Sequence, residues 1–163
     1  MASIKDQLQN IVINKVKLAN NMTVRQNLIQ AINYLYECIQ YYIDKMYEEY
    51  TPTRYKRRPL QNSLRSSLYV EDFLKARIVA NTIQLSLKFS SNVWAWNMDD
   101  THQSPVNVLM SEGWAWREQP KEPIWRFTYY EGYHFIEKGI ALFNQNNKWG
   151  VKVMWDIDLT DWF

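Results

Sequence analysis

From Val24 to Tyr50 the apolar residues return at every third or fourth position, as Val24, Leu28, Ile32, Leu35, Ile39, Ile43, Met46 and Tyr50. That step puts them on one face of a helix. Thr23 follows the polar break Asn20-Asn21-Met22 and is a suitable N-cap, so the spacing predicts a helix from Thr23 to Tyr50, about 40 Å long at 1.5 Å per residue. Tyr34, Tyr36, Tyr41, Tyr42 and Tyr47 widen its apolar surface beyond one stripe. Such a helix is expected to pack on more than one neighbour. Thr51-Pro52 stops it, because proline lacks an amide donor and restricts the residue before it.

A shorter helix is expected ahead of it. Ser3-Ile4-Lys5-Asp6 resembles a capping signal, and Ile4, Leu8, Ile11 and Val12 share a face, with an end near Asn20. Beyond the long helix, Ser67–Val70 and Ala76–Ala80 are candidate strands. Thr82–Phe89 alternates Ile83, Leu85, Leu87 and Phe89 with Gln84, Ser86 and Lys88, the period-two pattern of a half-buried antiparallel strand. Pro105–Glu112 reads as a short helix with proline at its first position and Gly113 as its stop. Trp125–Tyr129 reads as extended, and a second amphipathic helix is expected from Glu131 or Gly132 to Asn146, carried by Phe135, Ile136, Ile140 and Phe143. Val151–Trp155 reads as a closing strand. These elements make an α+β fold, a long N-terminal helix and a C-terminal helix packed on a small antiparallel sheet. Residues 1–22 form an N-terminal helical segment and 23–163 one domain.

The chain can bury a core without staples, since a chain of 163 residues hides roughly two thirds of its surface on folding. Only 4 Gly and 5 Pro leave little room for flexible linkers. The single Cys38 has no intrachain disulfide partner, sits in the long helical pattern and reads as a small buried hydrophobe in a reducing compartment. No apolar run reaches the roughly 18 residues of a membrane span, and the first residues lack the basic-then-apolar order of a signal peptide.

A net charge of +2 says little about polyanions, but charge is locally concentrated. Arg54, Lys56, Arg57, Arg58 and Arg65 occur without an intervening acid, with Tyr55 among them, and form a basic loop that could touch nucleic-acid phosphates or an acidic face of a neighbouring subunit. Asp156, Asp158 and Asp161 supply the opposite charge near the other end. The 8 Trp and 11 Tyr exceed what such a core needs, and Trp94, Trp96, Trp114 and Trp116 are expected in loops that meet other subunits. The echo between Trp94-Ala95-Trp96 and Trp114-Ala115-Trp116 reads as coincidence because the flanks differ. Asp99, Asp100 and His102, even with Asp156 and Asp158, match neither zinc spacing nor an EF-hand loop and read as a solvated turn. His134 reads as a packed or capping imidazole. No nucleophile has a partner base and no glycine-rich phosphate loop is present, so neither an enzyme nor a bound cofactor or metal is expected.

In the order of its motifs the chain resembles the neck and tail-completion proteins of tailed bacteriophages. The resemblance rests on a long helix ended by Pro52, then Tyr55, Lys56 and Arg57, then Val108-Leu109-Met110-Ser111-Glu112-Gly113, then Phe135-Ile136-Glu137-Lys138-Gly139-Ile140 with Phe143-Asn144, and Val151-Lys152-Val153. It covers about residues 23–157 and leaves out the first 20. Arg58-Pro59 departs from the small residue and Gly usual in the family, and Trp114–Trp125 looks like an insert. The resemblance implies a virion protein assembled in the host cytoplasm as a closed six- or twelve-fold ring. Such a ring lies between portal or adaptor proteins and the tail tube, with a lumen for the DNA. Closed rings use head-to-tail contacts, in which one surface of a subunit meets a different surface of the next. Two other functions compete: a tail terminator capping the tube, and a small DNA-binding protein using residues 54–65. Salt-dependent DNA binding lost on changing Arg54, Arg57 and Arg58 to Ala would favour the last.

Overall fold

A computed structural model describes residues 4–49, 63–72, 77–79, 82–90, 94–96, 103–105, 110–111, 114–117 and 127–155. The fold is α+β: a long N-terminal helix, a C-terminal helix and a small antiparallel two-stranded sheet. In chain order the elements are α1 (Ile4–Lys15), α2 (Val24–Glu49), α3 (Leu64–Ser67), β1 (Leu68–Val70), β2 (Arg77–Val79), β3 (Thr82–Gln84), β4 (Leu87–Phe89), β5 (Trp94–Trp96), β6 (Gln103–Pro105), β7 (Trp114–Arg117), β8 (Phe127–Tyr130) and α4 (Phe135–Gln145).

Thr23 and Gln26 start α2 with a reciprocal capping box. The Gln26 amide donates to Thr23 Oγ1 at 3.2 Å, and the Thr23 amide donates to Gln26 Oε1 at 2.9 Å. Ile32, Ile39, Ile43 and Met46 of the predicted stripe are buried. So are Ala31 and Cys38, which lie to one side of it. This second set widens the buried surface so that α2 carries two clusters. Towards its C-terminal half, Ile39, Ile43 and Met46 pack with Leu64, Leu68, Met110, Phe135 and Ile136. Towards its N-terminal half, Ala31 and Cys38 pack with Phe143, and Tyr34, Trp149, Val151 and Val153 close the edge. Since Phe135 meets the later part of α2 and Phe143 the earlier part, α4 lies antiparallel on α2. The crossing is tight at Gly139, where an added Cβ would come within 2.9 Å of the Ile39 Cα.

Backbone contacts from an earlier segment hold the start of α4. The amides of Tyr133 and His134 donate to the carbonyls of Met110 and Ser111 at 3.0 and 2.7 Å. The chain turns into the helix through left-handed conformations at Gly132, φ 90°, and His134, φ 54°.

The sheet against this core is the ladder of β1 and β4, with Leu68 opposite Phe89, Tyr69 opposite Lys88 and Val70 opposite Leu87. Leu68 is buried, and Phe89 meets Phe135 edge-on at 6.1 Å. Two expectations for this region need correction. Thr82–Phe89 is not one strand: it breaks at Leu85-Ser86, so that β3 pairs with β2 while β4 pairs with β1. One pleated run would have to serve both partners, and the break lets each half take its own. Ser67 belongs to the last position of α3, so the first strand starts one residue later than expected.

Two further expectations fail. Pro105 does not open a helix; it ends β6 opposite Trp94, at a strand end where its missing donor is tolerated. Helical backbone does occur within the expected span, at Met110 and Ser111, and residues 106–109 and 112 lie outside the described residues. Val151–Trp155 is not a strand, although Val151 and Val153 still alternate inward against the Phe143 cluster. Side-chain packing sets that alternation, and no ladder partner accompanies it among the described residues. The first helix ends at Lys15, and Lys17 bridges back to Thr23 across the turn into α2.

Candidate interaction surfaces

The basic segment divides on this scaffold. Arg54, Lys56, Arg57 and Arg58 lie outside the described residues, as do Asp99, Asp100, His102, Asp156, Asp158 and Asp161. Arg65 is on α3, not in a loop. Its guanidinium meets Asp44 of α2 at 3.2 Å with both side chains partly exposed, and its carbonyl accepts a hydrogen bond from Gln40 Nε2 at 2.6 Å. An arginine so engaged fastens α3 to α2, and any phosphate would compete with Asp44 for it.

The four tryptophans expected in loops are in strands. Trp94 and Trp96 flank the centre of β5, opposite Pro105 and Gln103 of β6. Trp114 and Trp116 belong to β7, opposite Tyr130 and Thr128 of β8. The Trp-Ala-Trp echo therefore has a structural counterpart, since each copy forms one strand of a two-stranded antiparallel ladder. High strand propensity of Trp suits that use.

His134 occupies the N-cap position of α4 with an exposed imidazole. Its Nδ1 stands 4.0 Å from Glu137 Oε2, and its side chain makes no cap hydrogen bond. It sits at the cap position without capping through its side chain. The Glu137 carboxylate accepts instead from the hydroxyl of fully buried Ser111 at 3.3 Å. Among the described residues no group of three or more His, Cys, Asp or Glu could hold a metal ion, and no helix is long and apolar enough to cross a membrane.

Cys38 is buried, as its place in the helical pattern implies. Burial pushes its thiol pKa up, the Tyr34 hydroxyl opposes this by hydrogen bonding, and Glu37 adds to it. The Tyr34 phenol is raised as well, by burial first and then by Cys38.

Above this pair lies an open cleft of about 530 Å³ bounded by Gln30, Asn33, Tyr34, Glu37, Asn146, Lys148 and Trp149. Trp149 stacks on Phe143 at 5.9 Å with planes 12° apart, and its ring lies 5.3 Å from that of Tyr34. Its indole NH donates to Gln30 Oε1 at 3.4 Å, while its carbonyl accepts from buried Asn27 Nδ2 at 3.0 Å. Asn20 Nδ2 donates to Asn27 Oδ1 at 3.0 Å, so a single asparagine ties the α1–α2 turn to the segment after α4.

Among the described residues the largest apolar exposure is one that the sequence pattern identified as a helix face without showing which way it turned. On α1, Ile4 is 77 % exposed, Leu8 58 %, Ile11 47 % and Val12 49 %. Gln9 and Ile13, from the other side of the helix, are the half-buried ones. Met154 and Trp155, exposed where the chain leaves the core, add a second apolar surface. Comparison with protein-family models, curated proteins and solved structures gives no match for this chain.

Proposed function

We propose that this chain is a structural subunit of a tailed-bacteriophage virion that forms a closed ring at the head-to-tail junction. The ring would join the capsid and portal side to the tail and leave a channel for DNA. The observation that carries the reading is the order and packing of elements. A long helix is followed by antiparallel strands and then by a shorter helix lying back along the first, the order in which the resembling segments occur. The outward apolar stripe of α1 adds support, because a subunit working by assembly needs surface to give to neighbours.

In this reading the partners are further copies of the chain in a six- or twelve-fold ring, the portal or adaptor proteins on one side and the tail-tube proteins on the other. Genomic DNA would pass through the lumen with sequence-independent contacts only. Arg54, Lys56, Arg57 and Arg58 would then meet either the DNA or the adjoining ring, while Arg65 is already committed to Asp44. The chain would reside in the neck or tail of the virion after assembly in the host cytoplasm. A tail terminator belongs to the same class and differs only in its level in the stack.

Electron microscopy of assembled particles, at a resolution that traces side chains, tests the reading. A six- or twelve-fold ring of this chain at the junction supports it. Absence from the particle, or a place outside the neck and tail, overturns it.

A further inference from the structure

The outward stripe of α1 continues into positive charge. Leu8, Ile11 and Lys15 follow at intervals of three and four residues and so share a face, and Lys17 is exposed just past the helix end. Asp6, the one acid of the helix, falls on the opposite side, with Ile13. The surface offered to solvent is therefore apolar with a basic end. It is turned away from its own body, since Gln9 and Ile13 occupy the shaded side.

The segment that leaves the core carries the complementary pattern. Met154 and Trp155 are 69 % and 37 % exposed, and the sequence continues Asp156-Ile157-Asp158-Leu159. Asn27 holds the Trp149 carbonyl beside the α1–α2 turn, so the stretch that leads to Met154 and Trp155 passes the same end of α2 as the turn that follows the basic, apolar helix. Two unlike surfaces of matching chemistry on one subunit are what a head-to-tail contact requires.

We infer that the α1 stripe of one copy is the docking surface for residues 154–159 of a second copy, with Lys15 and Lys17 facing Asp156 and Asp158. The inference rests on the ring reading and names the contact through which neighbouring subunits engage. Apolar side chains supply the contact area, and the charges fix which surface meets which.

A charge exchange tests it on the full chain. Lys15→Glu with Lys17→Glu, and separately Asp156→Lys with Asp158→Lys, each place like charges across the contact. Each is expected to raise the dissociation constant for self-association by about tenfold or more in sedimentation velocity. An equal mixture of the two variants restores opposite charges between copies and is expected to recover association. Ile11→Asp, which removes apolar contact at an exposed site, is expected to weaken association while leaving the circular dichroism of the subunit unchanged.

Recovery in the mixture supports the contact between copies. Three results overturn it: a wild-type chain that stays monomeric at every concentration, association unchanged in all three variants, or recovery only when all four charges are exchanged within one chain. The last would mean that the segment folds onto its own helix. Rings that persist in both charge variants remove this contact but leave the ring reading standing, which particle imaging decides separately.

Discussion

At Gly139 the approach of α4 to α2 leaves no space for a side chain. A Cβ there would stand 2.7 Å from the Ile39 Cγ1 and 2.9 Å from its Cα. The first contact could ease by a side-chain adjustment, but the second is with backbone and requires the helices to part. Gly139→Ala gains about 0.5–1 kcal/mol of helix propensity. Overpacking costs typically about 1–3 kcal/mol, so the net expectation is a loss of up to about 2.5 kcal/mol, read from the urea midpoint; a stabilised variant would mean that the crossing is looser than described. Cys38 gives a second expectation at this scale. Its folded pKa is raised chiefly by burial, so above the unfolded value of about 8.5 the unfolded chain releases a proton that the folded chain keeps. Stability is therefore full below that pH and falls as pH rises through it towards the folded pKa. Urea midpoints between pH 7 and 10 should drop in the wild type, with part of the slope removed in Cys38→Ala.

Among the elements, α2 has the clearest start. Thr23→Ala removes one half of the Thr23–Gln26 capping box and should cost about 1 kcal/mol, measured by thermal denaturation beside Gln26→Ala, which leaves the Thr23 hydroxyl bond in place. The same helix shows how much could be read in advance. Its limits, its buried stripe and its cap are all written within a few residues of one another, and α4 likewise follows from Phe135, Ile136, Ile140 and Phe143. The strand readings failed where pairing decides. Nothing within Thr82–Phe89 says that its two halves serve different partners, and nothing within Val151–Trp155 says that its alternation answers to Phe143 instead of a neighbouring strand. Pro105 satisfied the rule for a helix start and also that for a strand end; its pairing with Trp94 settled which applied. Of the candidate contact residues, Arg65 could not have been separated from the basic loop by sequence, because its partner Asp44 lies 21 positions earlier on another element.

For the whole molecule, α1 separates folding from association. None of its described residues belongs to either buried cluster, and its turn is fastened by groups beyond its own end. These are the Lys17–Thr23 bridge, the Leu18 amide donating to the Met22 carbonyl at 2.8 Å, and Asn20 on Asn27. A chain beginning at Val16 keeps all of these. It should unfold within about 1 kcal/mol of the full chain, as surface changes away from buried groups usually do. The same truncation removes Ile4, Leu8, Ile11, Val12 and Lys15 together, the surface assigned to the contact between copies. Sedimentation velocity on the truncated chain should then report a stable, folded monomer under conditions in which the full chain associates. A truncated chain that unfolds would place α1 within the cooperative core, against its exposure. One that folds and still associates would move the subunit contact elsewhere on the domain, and the Trp-bearing strands β5 and β7 would be the next surfaces to change.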